Sequence, residues 1–140
     1  MGTVWIAEHL ALSSHVAVKI IDRVGAESEE LRARFVREAQ SAASLRSPHV
    51  VQILDYGLHE DDVPFIVMEL LEGETLAHCL QKNGGSLRPA RVARIMAHVA
   101  RAVGKAHEKD IVHRDLKPDN IFLVQNEDEE IAKVLDFGIA

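Results

Sequence analysis

The run His113-Arg114-Asp115-Leu116-Lys117-Pro118-Asp119-Asn120 gathers a carboxylate, an ammonium and an amide around one proline turn, and a further carboxylate follows in Asp136-Phe137-Gly138. Phosphoryl transfer from a magnesium nucleotide asks for these types in this order: a carboxylate to orient the accepting hydroxyl, a cation against phosphate charge, and hard oxygen ligands for the metal. Asp115 and Asn120 flank the tight Lys117-Pro118 turn, so both side chains can converge on one point. A hairpin between Asn120 and Asp136 would bring the last carboxylate back beside the amide. That gives Mg²⁺ two oxygen ligands and leaves Asp115 free for the hydroxyl. Taken singly, Asp-Phe-Gly is a common turn and His-Arg-Asp an ordinary surface charge cluster. Their joint order, with the upstream residues below, points to chemistry.

Strands and helices must carry these groups. Residues 15–21 read as a strand with Val16, Val18 and Ile20 on one face and Ala17, Lys19 and Ile21 on the other. Lys19 thus lies on the side where a small Ala17 leaves room, although an edge-strand lysine that discourages aggregation has the same pattern. Ser28 reads as a helix cap, with Glu29 and Glu30 at the positive end of the dipole and a helix running to about Leu45. Leu31, Phe35, Ala39, Ala42 and Leu45 make its apolar stripe, and Glu38 sits beside that stripe, apart from Arg32, Arg34 and Arg37. A carboxylate on the core side wants a cation.

Residues 50–54 and 65–71 read as strands of an antiparallel hairpin about the acidic turn Glu60-Asp61-Asp62, and Glu72-Gly73-Glu74 as a hinge. Thr75 is expected to cap a short helix to Lys82, closed by Gly84-Gly85. A longer helix over 88–108 accepts Pro89 in its first turn and buries Val92, Ile95, Met96, Val99, Val103 and Ala106. Residues 121–124 and 131–135 form the hairpin that ends at Asp136.

The bulk properties narrow the partners. A chain of 140 residues, 47% hydrophobic and 27% charged, has the composition of a globular domain. Its formal charge of −6 gives no basic footprint for nucleic acid or anionic lipid. The single cysteine, Cys79, excludes an internal disulfide and suits a reducing, cytoplasmic compartment. No apolar run reaches the roughly 18 residues of a membrane span, and the first residues lack the regions of a signal peptide. None of the eight histidines pairs at ligand spacing with cysteine or another histidine in a convincing cluster.

With these residues in order, the chain resembles eukaryotic-type protein kinase domains. Arg34-Phe35-Val36-Arg37-Glu38-Ala39 and the Gly57 that follows Asp55-Tyr56 are similar to bacterial serine/threonine kinases. The resemblance covers essentially the whole chain and implies an α+β, two-lobe fold: an antiparallel-sheet N-lobe with one long helix, and a partial, mainly helical C-lobe. Residues 1–71 would form the N-lobe and hinge, and residues 72–140 the C-lobe through the catalytic loop and Asp-Phe-Gly. By the same resemblance Gly2 and Val4 cover the phosphates of ATP, Ala17 lies above the adenine, and Lys19 holds the α- and β-phosphates while paired to Glu38. Glu69 and Leu71 meet adenine behind a Met68 gatekeeper. Asp115 is the catalytic base, Lys117 contacts the γ-phosphate, and Asn120 and Asp136 hold Mg²⁺. Arg114 docks a phosphorylated activation loop, and His113 packs near Phe137. The Asp-Leu-Lys-Pro-Asp-Asn form resembles serine/threonine rather than tyrosine kinases, so the implied reaction moves the γ-phosphoryl of Mg-ATP to protein Ser or Thr hydroxyls.

The resemblance has gaps at both ends: the first strand, the first two glycines of the phosphate loop and everything after Asp-Phe-Gly are expected to be missing. The isolated chain is therefore expected to bind ATP weakly and to transfer little phosphate. A membrane anchor encoded beyond Ala140 fits the resemblance as well. Two other readings stay open. One is a non-catalytic nucleotide-binding or interaction module on the kinase scaffold. The other is a small-molecule phosphotransferase, against which Arg114, Lys117-Pro118 and Phe137 speak.

Overall fold

Alternating β-branched residues build the first two strands, β1 (Gly2–His9) and β2 (Ser14–Ile21), which pair antiparallel. The computed structural model describes residues 2–11, 13–21, 29–59, 63–126 and 129–137, excepting the side chains of residues 2, 31 and 32. The cap at Ser28, the turn at 60–62 and Gly138 lie outside them. Two compact units make up the described chain: residues 2–44 with 52–70, and residues 45–51 with 71–137.

In the first unit a four-stranded antiparallel sheet has the order β1-β2-β4-β3, with β3 at Ile53–His59 and β4 at Val63–Glu69. Val4 lies opposite Lys19, Ile6 opposite Ala17, Lys19 opposite Ile66 and Ala17 opposite Met68. Directly opposed residues share a face, so the register alone gathers Val4, Ala17, Lys19 and Met68 on one side of the sheet. Helix α1 (Glu29–Ala43) packs on β3 and β4 through buried Phe35, Ala39 and Ala42.

Two expectations are corrected here. The strand expected from residue 50 begins only at Ile53, and α1 stops at Ala43, short of Leu45. Both corrections have one cause, since Leu45–Val51 belongs to the second unit. Val51 N–H donates to Val134 O at 3.0 Å and Val134 N–H donates to His49 O at 2.8 Å, which makes a single parallel bridge with strand β7 (Glu130–Val134).

The second unit holds a three-stranded antiparallel sheet, β5 (Gly73–Thr75), β6 (Ile121–Gln125) and β7 (Glu130–Val134), in that order. The expected hinge at residues 72–74 is thus partly a strand. Gly73 has φ +146°, and a Cβ there would stand 2.0 Å from Leu123 O, so glycine is required by the close approach of β6, not by mobility. Helix α2 (Leu76–Lys82) starts as expected, Thr75 Oγ1 accepting from His78 N–H at 3.1 Å. It ends in a Schellman pattern, with Gly85 N–H donating to Leu80 O at 2.8 Å and Gly84 in the left-handed region.

Helix α3 (Pro89–His107) packs on β7 through part of the expected stripe, Ile95, Val99 and Ala106, with His98 and Ala102 in place of Val92 and Met96. Ile95, His98, Val99, Ala102 and Ala106 are buried, whereas Val92 and Met96 are 41% and 49% exposed. The helix turns His98 inward because its ring satisfies the backbone of β7. Hydropathy alone ranks methionine above histidine and misplaces that part of the stripe. No helix among the described residues is long and apolar enough to cross a membrane.

Candidate active site

A 3₁₀ turn at Pro118–Asn120 sets the geometry of the second unit's polar cluster. Proline fixes φ where the turn needs it and donates no N–H, and Asn120 N–H closes the turn on Lys117 O at 2.9 Å. The side chains then converge as the spacing predicts. Lys117 Nζ donates to Asp115 Oδ2 at 2.7 Å, and Asn120 Nδ2 donates to Asp115 Oδ2 at 3.1 Å and to Asp115 O at 2.8 Å. Leu135 N–H donates to Asn120 O at 2.9 Å, which brings Asp136 back along the β6–β7 hairpin. Asp115 is therefore not left empty-handed, as the sequence reading had it. One of its oxygens already holds an ammonium and an amide.

Buried His113 supports this cluster from behind. Its Nε2–H donates to Leu135 O at 2.7 Å and its Nδ1 accepts from Asp115 N–H at 3.3 Å, a pair of bonds that assigns the tautomer. The ring meets Phe137 edge-on at 4.8 Å, where the sequence placed it. Arg114 and Asp136 hold φ of +67° and +55°, two of the four left-handed non-glycine residues among those described. Each such conformation costs on the order of 1 kcal/mol, and such outliers gather at functional sites.

Charge follows the same geometry. The ammonium of Lys117, hydrogen-bonded to it, holds the Asp115 carboxyl below its ordinary range, and the Asn120 amide adds to the effect. Lys117 is raised in turn, first by Asp115, with weaker help from Asp119 and Asp136. The donor set fits a hard cation. Because Asn120 spends its Nδ2 on Asp115, its Oδ1 is the atom left to face a metal, in company with the half-buried Asp136 carboxylate.

In the first unit Lys19 and Glu38 are both half-buried. Glu38 Oε1 accepts from Arg34 Nε at 3.0 Å, so one cation beside this carboxylate comes from a turn earlier in α1. Met68 is half-buried opposite Ala17. Glu69 Oε1 accepts from Gln52 N–H at 2.8 Å and Glu69 N–H donates to Gln52 O at 3.0 Å, so its side chain and its amide are both engaged with Gln52. Leu71 is half-buried and belongs to the second unit.

The model of the protein kinase domain matches residues 1–140. The chain belongs to the protein kinase family. It is 44% identical over 140 residues to serine/threonine-protein kinase PrkC of Bacillus subtilis, covering 100% of this chain and 21% of that protein. Against serine/threonine-protein kinase pkn3 of Myxococcus xanthus the identity is 40% over 141 residues, with 100% of this chain and 26% of that one covered. The crystal structure of the Mycobacterium tuberculosis PknI kinase domain matches with a TM-score of 0.87 at 30% identity, covering 100% of this chain and 56% of the other. Rad53 in complex with AMP-PNP matches with a TM-score of 0.84 at 27% identity, over 99% of this chain and 35% of that one. The chain thus spans about a fifth to a quarter of these curated relatives. The expected α+β kinase fold is the fold found, and the serine/threonine class agrees with the relatives' names.

Two features of this kinase chain escaped sequence reasoning. Arg91 of α3 makes a two-pronged pair with Glu130 of β7, at 3.0 Å and 2.6 Å. His49 and His98 stack at 4.2 Å between ring centres, both buried. Separation along the chain hides both. The only signal was an arginine on α3 and an unusual histidine within each apolar run.

Proposed function

We propose that the chain carries the nucleotide-binding and catalytic residues of a serine/threonine protein kinase, which transfers the γ-phosphoryl group of ATP to a serine or threonine hydroxyl of a protein. The observation that carries this reading is the junction of Asp115, Lys117 and Asn120 at 2.7 to 3.1 Å on one proline turn. Asp115, kept ionised by its neighbours, accepts the hydrogen bond of the incoming hydroxyl and aims its oxygen, and its Oδ1 is the atom left for that task. Lys117 stands ready to meet the charge of the transferred group. Asn120 and Asp136 would hold Mg²⁺, which neutralises phosphate charge when bound.

On the first unit, Lys19 meets the α- and β-phosphates with Glu38 as its positioning partner, while Gly2 and Val4 cover them. Ala17, Met68 and the backbone of Glu69 receive the adenine.

Nucleotide binding tests the reading on the 140-residue chain. ATP should raise its Tm when Mg²⁺ is present, and Lys19→Met and Asp136→Asn should each remove the rise. A folded chain unmoved by millimolar Mg-ATP overturns the reading. In phosphotransfer by a full-length parent kinase that carries this segment, Lys19→Met should cost far more activity than Lys133→Met; equal losses would sink the role of Lys19.

A further inference from the structure

We propose that the stacked imidazoles of His49 and His98 form a proton-sensitive latch, which moors Leu45–Val51 to α3 and β7 at neutral pH and lets it go in mild acid. The latch closes on a single residue. His49 Nδ1–H donates to Ala132 O at 3.3 Å, and Ala132 N–H donates to His98 Nδ1 at 3.2 Å, so the two rings bracket Ala132 from both of its polar ends. The rings stack at 4.2 Å and 17° between planes, and they are only 8% and 6% exposed.

Each bond requires a definite protonation state. Ala132 N–H needs an acceptor, so His98 Nδ1 must be bare. A proton on that nitrogen turns acceptor into donor and sets two N–H groups against each other. It also places a cation in a buried site against its stacked neighbour. The groups facing the pair bias it further. Arg94 and Arg101 on α3 oppose a positive charge on His98, and Glu129, just before β7, favours one more weakly. Glu130 is committed to Arg91. Burial first, then the stacked His49 and these cations, hold His98 below its ordinary range, so it stays an acceptor through neutral pH and the latch opens only below it.

The moored segment is the stretch of chain that leads out of α1, and its backbone pairs with Val134, two residues before Asp136. Opening would therefore free the exit of the helix that bears Glu38 and slacken the strand that delivers Asp136. The device differs from general acid unfolding in being local.

Amide hydrogen exchange on the 140-residue chain tests the latch, with rates corrected for the intrinsic effect of pH. Between pH 7.5 and pH 5.5 the protection of Val51, Ala132 and Val134 should fall at least tenfold while that of α2 amides holds. His98→Asn, whose amide oxygen can replace Nδ1 as acceptor without titrating, should flatten the change. The His98 ring, followed by its own NMR signal, should titrate with the same midpoint as the protection is lost. Unchanged protection, an equal fall across the unit, a persisting fall in His98→Asn, or unequal midpoints would each overturn the latch. The last comparison needs only the wild-type chain and holds even if the variant does not fold.

Discussion

At the scale of single residues, the site is a set of local hydrogen bonds set by one turn. Asp115 is held ionised chiefly by Lys117, so Lys117→Met should let the Asp115 carboxyl rise toward its ordinary value, read by carbon NMR titration; an unmoved midpoint would deny the coupling. Gly73 makes a sharper structural point. Alanine there would drive a Cβ into Leu123 O, and Gly73→Ala should lose about 3 kcal/mol or more in denaturant unfolding. Gly84→Ala, where a Cβ meets nothing within 4 Å, should cost only about 1 kcal/mol for its positive φ. Such features divide cleanly by legibility. The convergence of Asp115 on Asn120 spans five residues and a proline, so it can be read from spacing. The His49–His98 stack joins residues from two distant segments, and no local pattern encodes it.

At the scale of elements, α3 and β7 are joined by the Arg91–Glu130 pair, whose side chains are 30% and 16% exposed. Removing one partner strands the other in a half-buried place, and Arg91→Met should cost about 2 kcal/mol near pH 7. The sign with pH follows from Glu130, whose carboxyl is held low first by the hydrogen bond from Arg91. Its contribution is full above the ordinary glutamate range and disappears as pH falls through the depressed value. The Tm gap between wild type and Arg91→Met should therefore close in acid; a gap that widens there would contradict the assignment. His98 begins to lose its contribution at higher pH than Glu130, because its ordinary value lies higher. Long periodic elements were legible: the core face of α1 through Phe35, Ala39 and Ala42 is the expected one. The α3 face was legible only in part, because a histidine bonded to a strand outcompetes Val92 and Met96 for the interior while Ile95, Val99 and Ala106 are buried as expected. Strand β5 was hidden for a related reason, since three residues led by a glycine read as a break until β6 is beside them.

At the scale of the whole molecule, the formal charge of −6 leaves only local sites able to hold phosphate. Duplex DNA should show no measurable binding in fluorescence anisotropy near 0.15 M salt, where unspecific contact relies on surplus cations; tight binding there would show a basic surface that the sum conceals. The family and the order of its motifs were legible at this scale, but the route of the chain was not. Leu45–Val51 leaves the first unit, joins the second, and the chain then returns to finish the first sheet. That detour has a consequence for synthesis. The partner of His49 lies 83 residues downstream at Ala132. At about 5–20 residues per second, a ribosome needs roughly 4–17 seconds to deliver it. For that interval the first sheet can already close through β4, while Val50 and Val51 wait as an uncovered apolar pair and the Val51 N–H waits for Val134 O. The first unit thus matures with an unfinished stitch in its middle, and the nascent chain is most open to misassociation just there.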